Sequence, residues 1–165
     1  MGSEIWRRDS ETSLAGLDYL LMEMGKRDMV AVLYLNNSWE WSGGYSFYLQ
    51  HAGAGKAPRP NEEGYPAYMN FVAQYASNTK AHELFYDYVR FILGRTNRYT
   101  GKKYTEDPAI MSWQIGNEPR AFAKEQLPAF EKWLAEASAL IRSIDKNHLI
   151  SIGSEGSWGC ENDYD

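Results

Sequence analysis

The 165 residues are 44% hydrophobic and 15% aromatic, enough apolar material for one compact domain and too much for a disordered segment. A formal net charge of −5, with Lys and Arg confined to short stretches such as GKRD and TGKK, excludes a nucleic-acid surface. No apolar run is long enough to span a bilayer, and the N-terminus MGSEIWRRDSET lacks the apolar centre of a signal peptide. Cys160 is alone, and His51, His82 and His148 lack metal-ligand spacing, so no metal or cofactor is indicated.

In chain order, Leu14, Leu17, Leu21 and Met24 recur at helical spacing and predict a helix over Ser13–Met24, stopped at Gly25. MVAVLYL, Met29–Leu35, is a short apolar run that predicts a strand buried on both faces. Asn36–Gly64 is rich in Gly, Pro, Asn and Trp without a period, and so long an irregular segment in a compact chain is usually functional. Helices follow over Pro66–Ser77 and Thr79–Arg95, the second with Ala81, Leu84, Phe85, Tyr88, Val89 and Ile92 on one face. Ile110–Gly116 reads as a second strand. Leu127–Ile144 is a helix with a Phe130, Trp133, Leu134, Ala137, Ile141, Ile144 stripe, and Leu149–Gly153 is a third strand.

Helices alternating with strands call for a parallel sheet with right-handed crossovers, an α/β fold. In the second strand Met111, Trp113 and Ile115 oppose Ser112, Gln114, Gly116 and Glu118. In the third, Ile150 and Ile152 oppose Ser151, Gly153 and Glu155. A doubly wound sheet would be apolar on both faces, so one polar face favours a barrel with its helices outside.

Glu118 stands out within MSWQIGNEPR. Pro119 restricts the residue before it, which predicts an extended Glu118 at the strand's end, its carboxyl directed into the C-terminal mouth of the barrel. Two plainer readings stand beside this one: a carboxylate capping a helix that begins at RAF, or an ion pair with Arg120.

WQIGNEPR at a strand end resembles the Asn-Glu-Pro signature after the fourth strand of clan A retaining glycoside hydrolases, specifically glycoside hydrolase family 5. LYLNNSWEWSGGYSFYL and LISIGSEGSWGCEND resemble the neighbouring loops of that family's β-mannanases, and the fit runs from about Gly16 onward. The resemblance implies a partial (β/α)8 TIM barrel comprising about strands three to five with their helices, within an incomplete catalytic domain over 1–165. Glu118 would be the general acid/base, and Asn117 would hydrogen-bond the 2-hydroxyl of the sugar being cleaved. Arg120 would lie near the leaving-group subsites, with Trp39, Trp41 and Trp158 stacking on sugars and Asn37 and Glu155 binding substrate. Glu40 would bind substrate or anchor its loop. The substrate would be β-mannan or a related polysaccharide, with no cofactor, in a secreted or periplasmic parent protein.

A complete barrel has eight strands and ~250 residues, against three strands here. The family's nucleophile follows strand seven, so this chain alone is expected to be inactive, with exposed edges prone to self-association. A β-1,4-glucanase of the same family, a non-catalytic carbohydrate-binding module and a half-barrel completed by oligomerisation are the competing expectations.

Overall fold

The structure, a computed structural model, describes residues 10–155. Its elements are α1 (Ser10–Gly25), β1 (Ala31–Tyr34), α2 (Gly44–His51), α3 (Pro60–Glu63), α4 (Tyr65–Val72), α5 (Thr79–Leu93), β2 (Ile110–Gln114), α6 (Leu127–Ile144) and β3 (Leu149–Ser151). The three strands form one parallel sheet in the order β1-β2-β3, with helices in each connection. This is the α/β arrangement of a partial barrel.

The sheet's apolar row is Leu33, Trp113 and Ile150, aligned across the strands. Trp113 is fully buried, and Leu33 and Ile150 pack on the same core. That core is mainly helical: α5 contributes Ala81, Phe85, Val89 and Ile92, and α6 contributes Phe130, Trp133, Ala137 and Ile141. Tyr45 stacks on Tyr75 at 4.0 Å, and Trp133 meets both rings edge-on at 5.7 and 5.2 Å. Full burial of such a side chain contributes on the order of 2–3 kcal/mol. Helix α5 starts at Asn78, whose side chain accepts from the Ala81 amide at 3.0 Å, an N-cap that satisfies one otherwise unpaired donor.

The opposite face carries Tyr34, Gln114 and Ser151 in register, with Val32 aligned to Ser112 and Leu149. Strand β1 is therefore not buried on both faces as its composition predicts: Val32 and Tyr34 are half exposed, because the helices cover one face only. Met111 departs from its expected side as well. The register slips between Ala31 and Val32, so Ala31 pairs with Ile110 and Val32 with Ser112, and the skipped Met111 is exposed while Trp113 is not.

Two buried polar clusters anchor the helices. Asp145, at the end of α6, accepts at Oδ2 from the Trp113 indole and from His148 Nδ1, both at 2.7 Å, tying that helix to β2 and to the start of β3. Burial would raise the Asp145 pKa, but these hydrogen bonds outweigh it and hold the carboxyl below its ordinary value. Asp18 of α1, also fully buried, is gripped by Arg95 and Tyr104 from the segment after α5.

The Asn36–Gly64 segment is more regular than its composition suggests. Helix α2 lies within it, burying Tyr45, Tyr48 and Leu49 at helical spacing. It starts at Gly44, whose φ is +62° and where a Cβ would lie 2.0 Å from the Asn37 carbonyl oxygen, so only glycine lets the backbone approach this closely.

Candidate active site

Three loops converge beyond the C-terminal ends of the strands. The pairing outlasts the strands themselves: Leu35 N donates to Gln114 O (2.9 Å), and Asn37 bridges to Asn117. Ile115 and Gly116 then both donate towards β3, to Ser151 O (2.8 Å) and Ile152 O (3.2 Å). Asn117 N turns back to Asn36 O at 2.8 Å, and Glu118 N reaches Gly153 O at 3.0 Å.

This doubled donation is a bulge, and it overturns one expectation. Glu118 is not extended; its φ is +51°, in the left-handed region. Pro119 disfavours the right-handed helical region for its predecessor, but the extra residue in the ladder brings Glu118 to positive φ. Such a conformation costs a bulky residue on the order of 1–3 kcal/mol and persists where surrounding hydrogen bonds fix it, typically at functional sites.

The loop after β1 is built around two asparagines. Asn37 is 2% exposed; its Oδ1 accepts from Trp39 N (3.0 Å) and from the Asn117 side chain (3.3 Å), and its Nδ2 donates to Ser42 Oγ (2.6 Å). Its amide is thus directed at the loop and at Asn117. Asn36 donates to the Tyr75 hydroxyl at 3.0 Å, fixing the loop to the core. Tyr68 donates to Ser38 O at 3.0 Å, and burial pushes that hydroxyl up to about 12, so it stays a donor at neutral pH.

Trp39 occupies the centre. Its indole N–H donates to Glu118 Oε2 at 2.5 Å. Trp41 stacks on it at 5.7 Å and Tyr68 at 6.5 Å, Tyr65 and Phe122 meet it edge-on, and the Arg120 guanidinium lies 5.6 Å from its ring centre. Arg120 forms an ion pair with Glu155. Glu118, Trp39, Arg120 and Glu155 therefore form one connected row, 79 and 35 residues apart across its two side-chain hydrogen bonds.

Both plainer readings of Glu118 lose their basis. Residues 120–122 are not helical, leaving no helix there to cap, and among the described residues the salt-bridge partner of Arg120 is Glu155, not Glu118. Trp41 is 61% exposed, an open ring beside the row. Glu40 accepts from Tyr65 at 3.4 Å through Oε1, while its Oε2 is buried without a partner among the described residues. Trp158 and Cys160 lie outside the described residues.

Neither the Trp39–Glu118 bond nor the Arg120–Glu155 pair is legible in the sequence. The residues were candidates individually, but no periodicity connects a loop after β1 with one after β2 at such separations.

The profile of the GH family 5 beta-mannosidase-like family matches residues 8–165. A mannan endo-1,4-beta-mannosidase 1 of Arabidopsis thaliana is 31% identical over 150 residues, covering 91% of this chain and 33% of its own. A glycoside hydrolase family 5 mannosidase from Rhizomucor miehei, solved in complex with mannosyl-fructose, superposes with a TM-score of 0.76 at 36% identity, covering 87% of this chain and 34% of that one. An endo-1,4-beta-D-mannanase from Thermotoga petrophila gives 0.71 at 28% identity, covering 85% and 35%. The chain thus spans about a third of the length of the relatives it matches.

Proposed function

The chain belongs to the GH family 5 beta-mannosidase-like family, and on that premise we propose that it carries the acid/base half of a retaining β-1,4-mannan hydrolase. The carrying observation is Glu118, held in a left-handed conformation past the C-terminal end of a parallel strand, beside Asn117 and near the exposed Trp41. Such strand ends are where barrel enzymes do their chemistry.

In this reading Glu118 gives its proton to the glycosidic oxygen as the bond to the anomeric carbon breaks, then as carboxylate takes a proton from the attacking water. Asn117, braced by Asn37, hydrogen-bonds the 2-hydroxyl, a contact that strengthens as positive charge develops on the sugar. Glu155 keeps Arg120 in place beside the leaving-group side. The attacking carboxylate must stand about 5–5.5 Å from the acid/base. The family resemblance assigns it to the seventh barrel strand, beyond the three strands here.

The full-length enzyme is expected to release reducing sugar from β-1,4-mannan, and this chain alone to release none. Release from cellulose in preference to mannan would replace the substrate by β-1,4-glucan; mannan binding without turnover by the full-length protein would make it a binding module.

Trp41, stacked on Trp39 and open on its other side, is the sugar platform. Trp41→Ala is expected to raise KM for long mannooligosaccharides roughly ten- to hundredfold, the equivalent of about 1.5–3 kcal/mol of stacking and burial. An unchanged KM would reduce Trp41 to loop packing.

A further inference from the structure

Trp39 is poorly placed to stack on sugar, because its ring is already packed against Trp41, Tyr68 and Arg120 and its edges against Tyr65 and Phe122. What it presents to the site is its N–H, donated to one oxygen of Glu118. We propose that Trp39 is a positioning residue that reserves Oε2 of Glu118 as a hydrogen-bond acceptor and so leaves Oε1 as the oxygen that carries the transferable proton. This inference rests on the acid/base reading of Glu118.

The chemistry follows from the donor inventory. An indole N–H donates and never accepts. In a protonated Glu118 the carbonyl oxygen is a far better acceptor than the hydroxyl oxygen, so the indole N–H on Oε2 favours the acid form with its proton on Oε1. When the proton has left for the glycosidic oxygen, Oε2 still accepts from Trp39, and the same bond persists through the second step. The carboxyl therefore keeps one orientation in both protonation states, which a carboxyl rotating freely about its terminal bond would not.

The bond has a rigid origin. Trp39 N is fixed by Asn37 Oδ1 at 3.0 Å, and its ring is held on several sides by aromatic neighbours. Arg120, anchored by Glu155, lies over the ring. The row from Glu155 to Glu118 thus transmits the placement of the β3 loop to the acid/base through packed contacts.

The test separates the N–H from the ring. In this chain the Trp39 indole proton, assigned by its loss in Trp39→Phe, is expected to resonate downfield and exchange slowly, and to lose both properties in Glu118→Ala. In the full-length enzyme, Trp39→Phe is expected to lower kcat on mannan roughly ten- to hundredfold, the effect of one hydrogen bond to a charged group, with KM little changed. On aryl mannosides, whose phenolate leaving groups need no proton, the first step, read as the burst of released phenol, should be little changed. Replacing Trp39 by its benzothienyl isostere, which keeps the ring and lacks the N–H, should reproduce the Trp39→Phe result.

A rise in KM with kcat intact would make Trp39 a sugar platform and overturn the inference. A first-step rate on aryl mannosides that falls as far as kcat on mannan, or an isostere that behaves as wild type, would make it a packing residue and overturn it likewise. Glu118→Ala assayed on the same substrate pair reads the underlying assignment separately. If that variant discriminates between leaving groups and Trp39→Phe does not, the acid/base reading stands and the positioning role falls.

Discussion

Replacing Glu118 with alanine in the full-length enzyme is expected to lower kcat/KM for β-1,4-mannan by about 10²- to 10⁴-fold, the usual contribution of a positioned general acid/base. The loss is chemical. Mannan leaves as an alkoxide, which must be protonated as the bond breaks, and Glu118 is the carboxyl beyond the end of β2 with its second oxygen held by Trp39. An aryl mannoside with an activated phenolate needs no such proton, so its first step should be largely spared while its second step, which needs base-activated water, becomes limiting. Product release should then show a burst followed by slow turnover. Equal, severe losses with both substrates and no burst would mean that the variant lost its fold or that Glu118 has another task; unchanged unfolding by urea distinguishes the two.

Asp18→Ala is expected to produce the largest loss of stability, about 3–5 kcal/mol in urea unfolding, the cost of leaving one member of a buried ion pair behind. Asp18 Oδ1 accepts from Arg95 Nε (2.9 Å) and the Tyr104 hydroxyl (2.6 Å), Oδ2 accepts from Arg95 Nη2 (2.6 Å), and Asn97 donates to its backbone carbonyl at 2.8 Å. Arg95 is itself only 12% exposed, and alanine would leave its guanidinium with only the longer contacts, 3.3 and 3.5 Å, to the half-exposed Glu11. Pairing Asp18→Leu with Arg95→Met should recover much of the loss, since an apolar replacement removes both desolvated charges.

The same contact sets an acid limit. Burial would raise the Asp18 pKa, but hydrogen bonds from Arg95 and Tyr104 and the Arg95 charge outweigh it and lower the value. A depressed carboxylate pKa gives stability that is complete above the unfolded value of about 3.9 and is lost as pH falls through the folded one. Stability should therefore decline below about pH 4, and less steeply in the Asp18→Leu, Arg95→Met pair. A loss under about 1 kcal/mol in Asp18→Ala would place this network among exposed ion pairs of little worth.

Much of the fold was legible because long helices announce themselves by period. The apolar stripe of Leu127–Ile144 predicts that helix with its observed bounds, and the apolar runs predict all three strands, each longer than observed. Short elements were harder. Helix α2 has eight residues and opens on two glycines, so composition argued against what the burial of Tyr45, Tyr48 and Leu49 enforces. The even burial expected of β1 failed because an apolar run records what a strand can bury, not what covers it. Glu118 stands out in the sequence, yet its left-handed backbone goes with hydrogen bonds on two different loops, from Asn117 N to Asn36 O and from its own N–H to Gly153 O, which no local rule contains. Trp39 shows the same limit. Tryptophan in a loop reads as a flat surface, whereas its N–H found a partner 79 residues away and its ring found others first.

The most direct measurement is the product formed when azide is added to Glu118→Ala with an activated aryl β-mannoside. Azide needs no general base and can enter where water would have been activated, so the account predicts faster turnover and β-mannosyl azide, the stereochemistry of a double displacement. Absence of any mannosyl azide, from a variant that still folds and binds the substrate, would contradict the assignment of Glu118 as the acid/base.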